Sequence, residues 1–152
     1  MAYVSWPNVA STHYVESMIP KIKLMQLTVS SIISENTPYT SPLIDTSFLT
    51  STGTGYVSIE VDAAYVHSGT IESEIRVTIL DSTGQNELYK KSQLVSGAGS
   101  RSGIMLPLMC IVTQQSIASG FKIRLTNVPD TSEPTNHILV ESKIQVKITQ
   151  SF

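Results

Sequence analysis

The chain has 152 residues and a formal net charge of −2, from 10 basic and 12 acidic residues. One domain of this size can bury a self-sufficient core. The basic residues form no stripe that would neutralise phosphates, and no apolar run reaches the roughly 18 residues of a membrane span, so neither nucleic acid nor membrane is expected as a partner.

Polarity comes from hydroxyls, since 22 Ser and 16 Thr make up a quarter of the chain. Thr suits the half-buried pleat of a sheet and Ser suits turns. Residues 1–35 are expected to form an extended attachment arm, ahead of a sandwich domain at 36–152. Trp6-Pro7, Ile19-Pro20, Thr37-Pro38 and Ser41-Pro42 punctuate residues 1–52, each proline fixing φ and removing a donor. The aromatics Tyr3, Trp6 and Tyr14 are its expected partner-binding anchors. A short helix fits between Thr12 and Met18. Ile22 to Ile33 reads as a strand with a phase slip at Met25-Gln26, between the Ile22/Leu24 pair and the Leu27/Val29 pair, which predicts a bulge or a break. The N-terminus has neither a basic nor an apolar leader pattern.

Past the turn cluster Ser51–Gly55, hydrophobic residues recur at every second position. Val57, Ile59, Val61, Ala63 and Tyr65 form the first such run, and Ile75, Val77 and Ile79 the next. Phe121, Ile123 and Leu125 follow, and then Ile144, Val146 and Ile148. Side chains alternate across a strand, so each run is one wall of a core with a wet outer face. Asp81-Ser82-Thr83-Gly84 reads as a turn. Leu88–Val95 is a more polar strand suited to an edge, where Lys90-Lys91 discourages pairing with another chain. Ile104–Val112 is apolar at both parities, with Pro107 within it. Such a strand needs cover on its second face, from the N-terminal segment or from another subunit; on the second reading Ile104, Met105, Leu106, Met109 and Ile111 are the expected oligomer interface. The order of strands predicts an all-β fold, an antiparallel jelly-roll-like β-sandwich.

Reactive groups are dispersed. Cys110 lies alone in an apolar strand and reads as a small buried hydrophobe. His13, His67 and His137 are far apart and lack a ligand at metal spacing, so no metal or other cofactor is expected. Gly97–Gly103 lacks the Gly-Lys-Ser/Thr ending of a phosphate loop. Glu60 with Asp62, and Glu72 with Glu74, are carboxylate pairs of the kind glycoside chemistry or calcium uses, but each reads as the solvated face of a sheet. No catalytic centre is expected.

Two stretches carry a resemblance. Gly120-Phe121-Lys122-Ile123-Arg124-Leu125, followed by the final Ile144, Val146, Ile148 strand, resembles the end of a trimeric jelly-roll head. Gly55-Tyr56-Val57-Ser58-Ile59, entering a long strand, does the same. The pattern is similar to the tumour-necrosis-factor and complement-globular-head superfold and its viral relatives, phage fibre tips and capsid decoration (cement) proteins. Such heads carry Gly-Asp before the penultimate strand, and here Phe121 replaces the Asp. Spanning about residues 40–150, the resemblance implies a homotrimer with apolar strand faces at the threefold axis. With no collagen-like repeat or heptad stalk before the head, the reading it favours is a non-enzymatic virion protein. A cement protein bound to the major capsid protein or another virion protein comes first. A receptor-binding or tail-fibre head, or a carbohydrate-binding module, is the alternative.

Overall fold

A computed structural model describes residues 21–29, 32–33, 37–49, 55–67, 73–95, 101–104, 107–129, 138–140 and 143–150. Twelve strands occupy them: β1 (Lys21–Thr28), β2 (Ile32–Ile33), β3 (Tyr39–Thr40), β4 (Tyr56–Asp62), β5 (Ala64–His67), β6 (Ser73–Leu80), β7 (Glu87–Val95), β8 (Arg101–Ile104), β9 (Leu108–Thr113), β10 (Lys122–Pro129), β11 (Ile138–Val140) and β12 (Lys143–Gln150). All named pairings are antiparallel.

The first sheet has the order β1-β12-β4-β9 and the second β3-β10-β6-β7. The third, β2-β11-β5-β8, repeats the order of the first, each of its strands lying next in sequence to its counterpart there. Ala63 alone separates β4 from β5, and the Pro107 that interrupts Ile104–Val112 lies between β8 and β9. Proline offers no N–H to a ladder.

Alternation sets which side of each sheet is dry. Val57, Ile59 and Val61 of β4, Leu108, Cys110 and Val112 of β9, and Ile144, Val146 and Ile148 of β12 are buried. They join Ile75, Val77 and Ile79 of β6 and Ile123 and Leu125 of β10 in one cluster. Two facing sheets with one shared core make the chain an all-β antiparallel sandwich.

Part of the stretch expected as an arm pairs within the sandwich. β1 pairs with β12 over eight successive positions, from Lys21 opposite Gln150 to Thr28 opposite Lys143. Leu27, Val29 and Ile33 are buried in the common core. β1, Val29 and β2 are therefore part of the sandwich. The phase slip is absent. Met25, Leu27 and Val29 face inward on an unbroken strand, while Ile22 and Leu24 stand exposed on its other face. Two apolar faces on one strand imitate a slip. Residues 1–20, with the short helix, lie outside the described residues.

One corner ties the sheets together. β9 leads through a 3-10 turn (Gln115–Ile117) to Phe121, whose N–H donates to Ile44 O at 3.2 Å while Ile44 N–H donates to Phe121 O at 2.8 Å. The Thr46 hydroxyl donates to Ile117 O at 2.6 Å. Ser41 precedes a proline, and its hydroxyl accepts from Ile123 N–H at 2.9 Å, which satisfies a buried donor where β3 has ended. Gly120 has φ +96°, a conformation that side chains other than glycine rarely adopt. On the buried side of the same corner, Gln150 Nε2 donates to Gln114 Oε1 at 2.7 Å.

Candidate interaction surface

The outer face of the first sheet is built by the residues that alternate with the core set. Register assembles them into rows across four strands. One row reads Leu24, Lys147, Glu60, Met109 from edge to edge, and the next reads Ile22, Thr149, Ser58, Ile111. On the other side of the first row, Gln26, Gln145 and Asp62 lie in register. In the first two rows charge and hydroxyls thus occupy the two central strands, and apolar side chains occupy the two edges.

Those apolar side chains are open to solvent. Ile22 is 57% exposed and Leu24 73%, while Met109 is 41% exposed and Ile111 49% on the opposite edge. Tyr56, at the start of β4, is 65% exposed. Single exposed hydrophobics are ordinary on a protein surface, but two apolar borders on one sheet face are a patterned feature. Between the borders lies a shallow hollow of about 320 Å³, lined by Leu24, Glu60, Asp62, Pro107, Gln145, Val146 and Lys147. Burial, and then the neighbouring Glu60 charge, raise the Asp62 carboxyl above its ordinary range. Gln26 Nε2 donates to Gln145 Oε1 at 3.3 Å across the rim.

Met109 and Ile111 of the expected oligomer interface lie together here. Ile104 ends β8, whereas Met105 and Leu106 lie outside the described residues, as do the expected anchors Tyr3, Trp6 and Tyr14. Ile22, Leu24, Tyr56 and Lys147 were not among the expected site residues. The signal for the first two was present, since apolar residues at both parities mark β1 as they mark β9.

Cys110 is buried, and desolvation pushes its thiol up to about 11 against the lowering pull of the Lys91 ammonium, which leaves little thiolate near neutrality. Glu74 pairs with Arg76 at 3.5 Å on β6. His67 ends β5 opposite Ile138 and Arg101, and His13, Glu72 and His137 lie outside the described residues. Among the described residues, no three His, Cys, Asp or Glu side chains gather as a metal site would require. No described helix is long and apolar enough to cross a membrane.

Neither a protein-family model nor a curated protein matches this sequence.

Proposed function

We propose that this chain is a non-enzymatic structural protein of a virion, acting as a capsid decoration (cement) protein that docks on the major capsid protein or a neighbouring shell protein. The observation that carries the reading is the outer face of the first sheet. A sandwich that already has a full core presents a second, patterned apolar surface suited to a partner. Its chain path supports the same reading. Taken as long strands, β1–β2, β4–β5, β8–β9 and β11–β12 make one layer and β3, β6, β7 and β10 the other. The strand orders β1-β12-β4-β9 and β3-β10-β6-β7 are compatible with a jelly roll, an architecture used by viral capsid and lectin domains. Fold alone does not assign a function, so the proposal stands on the face and on the test below.

Cement action follows from area. Apolar surface removed from water contributes roughly 25 cal/mol per Å² before ordering costs. Modest contacts repeated by symmetry then sum to a shell that resists heat and internal pressure. Particles stripped of this protein should disrupt at a lower temperature than complete ones, and adding the purified chain back should restore them without any cofactor. Particle mass spectrometry should find hundreds of copies. Equal heat stability with and without the chain, together with lost adsorption to the host cell, would transfer the assignment to a receptor-binding head. Retained binding to a glycan by the isolated chain would transfer it to a carbohydrate-binding module.

A further inference from the structure

We infer that the outer face of the first sheet pairs with the same face of a second copy of this chain, about a two-fold axis running along the strands between β12 and β4. The inference rests on the reading of this face as a docking surface, makes its occupant a second copy, and leaves attachment to the shell to the segment ahead of β1. It also gives the association an order of two, in place of the threefold that the family resemblance implies.

The argument is one of self-complementarity. A two-fold axis placed there lays β12 of one copy over β4 of the other, and β1 over β9, at the same height along the strands. Lys147 then faces Glu60 of the second copy, and Glu60 faces Lys147 of the second copy, because the two lie in one row. In the next row Thr149 meets Ser58 of the second copy, and in the row on the other side Gln145 meets Asp62 of the second copy. At the borders Leu24 comes over Met109 of the second copy and Ile22 over Ile111 of the second copy. The first row matches opposite charges between apolar borders, the second hydroxyl to hydroxyl between apolar borders, and the third an amide donor to a carboxylate. This is what an isologous contact demands, where residue i meets j and j meets i.

Sheet twist does not spoil the match. Packed faces cross at about 30°, and the border strands lie only about 7 Å from the axis. Their side chains shift by roughly 4 Å, about half the spacing of same-face neighbours. Ile22 and Leu24 still land on Met109 and Ile111 of the second copy, in one pairing or the other, while the charged rows next to the axis barely move. Four strands make a face about 19 Å wide and about 23 Å long, near the lower end of what specific association uses. Micromolar pairing is therefore expected.

Sedimentation equilibrium and native mass spectrometry on the full chain, between about 1 and 100 μM, test the pairing, with micromolar affinity as the benchmark. A species of twice the 16.6 kDa chain mass is expected. Lys147→Glu alone and Glu60→Lys alone should each weaken it by roughly tenfold or more, since like charges then meet twice per interface. The double exchange Lys147→Glu with Glu60→Lys should recover the pairing, because it restores opposite charges both within the sheet and across the axis. Ile111→Ser, which keeps the charges, should weaken it too. A monomer throughout the range overturns the inference, as does a trimer, and so does a dimer indifferent to all three single variants. If a single variant fails to fold, the wild-type mass and the double exchange still decide. A monomeric chain that nonetheless protects particles from heat would sink the pairing and leave the cement reading standing.

Discussion

Gly120 shows how one residue holds the corner between the sheets. A Cβ placed on it would meet Ile44 O at 2.8 Å and Leu43 Cδ1 at 2.9 Å, in a backbone conformation of φ +96°. The carbonyl is fixed by its bond from Phe121 N–H, so it cannot give way. Gly120→Ala should therefore destabilise the fold by about 1–3 kcal/mol in urea or thermal unfolding. Asp81 works at the tip of the β6–β7 hairpin. Its carboxylate accepts from the Thr83 hydroxyl at 2.6 Å, from Asn86 Nδ2, and from the Gln85 and Asn86 N–H groups. The Thr83 and Asn86 side-chain bonds, foremost, hold the carboxyl far below its ordinary 3.8. A lowered folded value means that the stabilisation is fully present above the ordinary value and is lost as pH falls through the depressed one. Asp81→Ala should lower Tm by a few degrees at neutral pH, and the gap to wild type should close as the pH is taken below about 4. A gap that stays constant to pH 2 would show that the carboxylate charge contributes nothing.

Among the elements, β1 and β7 are edge strands with opposite roles. β1 buries Leu27 and Val29 and completes the ladder on β12, each side chain contributing about 1.5–3 kcal/mol. Deleting residues 1–20 should leave the thermal transition of the sandwich nearly unchanged and, on the cement reading, abolish attachment. Deleting residues 1–30 strips β12 of its neighbour and should yield an aggregating or unfolded chain. β7 holds its edge by charge. Lys91 pairs with Val77, whose side chain is in the core, so the ammonium leaves the strand on the core side and still reaches solvent. An inward charge at an edge blocks strand addition. Replacing Lys90 and Lys91 with Val should raise light scattering on standing at high concentration while the melting temperature holds or rises. The period-two runs made β4, β6, β10 and β12 legible in the sequence, and polarity marked β7 as an edge. β1 was obscured because its outward residues are as apolar as its inward ones. β3 has two residues and no pattern to read, and Ile44 reaches Phe121 across 77 positions of chain by a single bridge. Met109 and Ile111 were expected as interface residues from the double-sided run, but their row partners come only from register, which side-chain chemistry along one strand does not encode.

At the scale of the whole molecule, strand register decides where the chain can be reached. Lys21 stands directly opposite Gln150 at one end of the first sheet, so the backbone enters β1 and leaves β12 side by side. Neighbouring strands are about 5 Å apart, a gap that a two-residue hairpin spans. Joining Gln150 to Lys21 through such a turn would close the polypeptide into a ring without displacing a strand, and the ring could be reopened between Thr83 and Gly84. The resulting circular permutant should melt cooperatively, close to the parent sandwich lacking residues 1–20. It would also carry its new ends on the β6–β7 hairpin, where a fused cargo would be displayed from the second sheet, leaving the first sheet's outer face unencumbered.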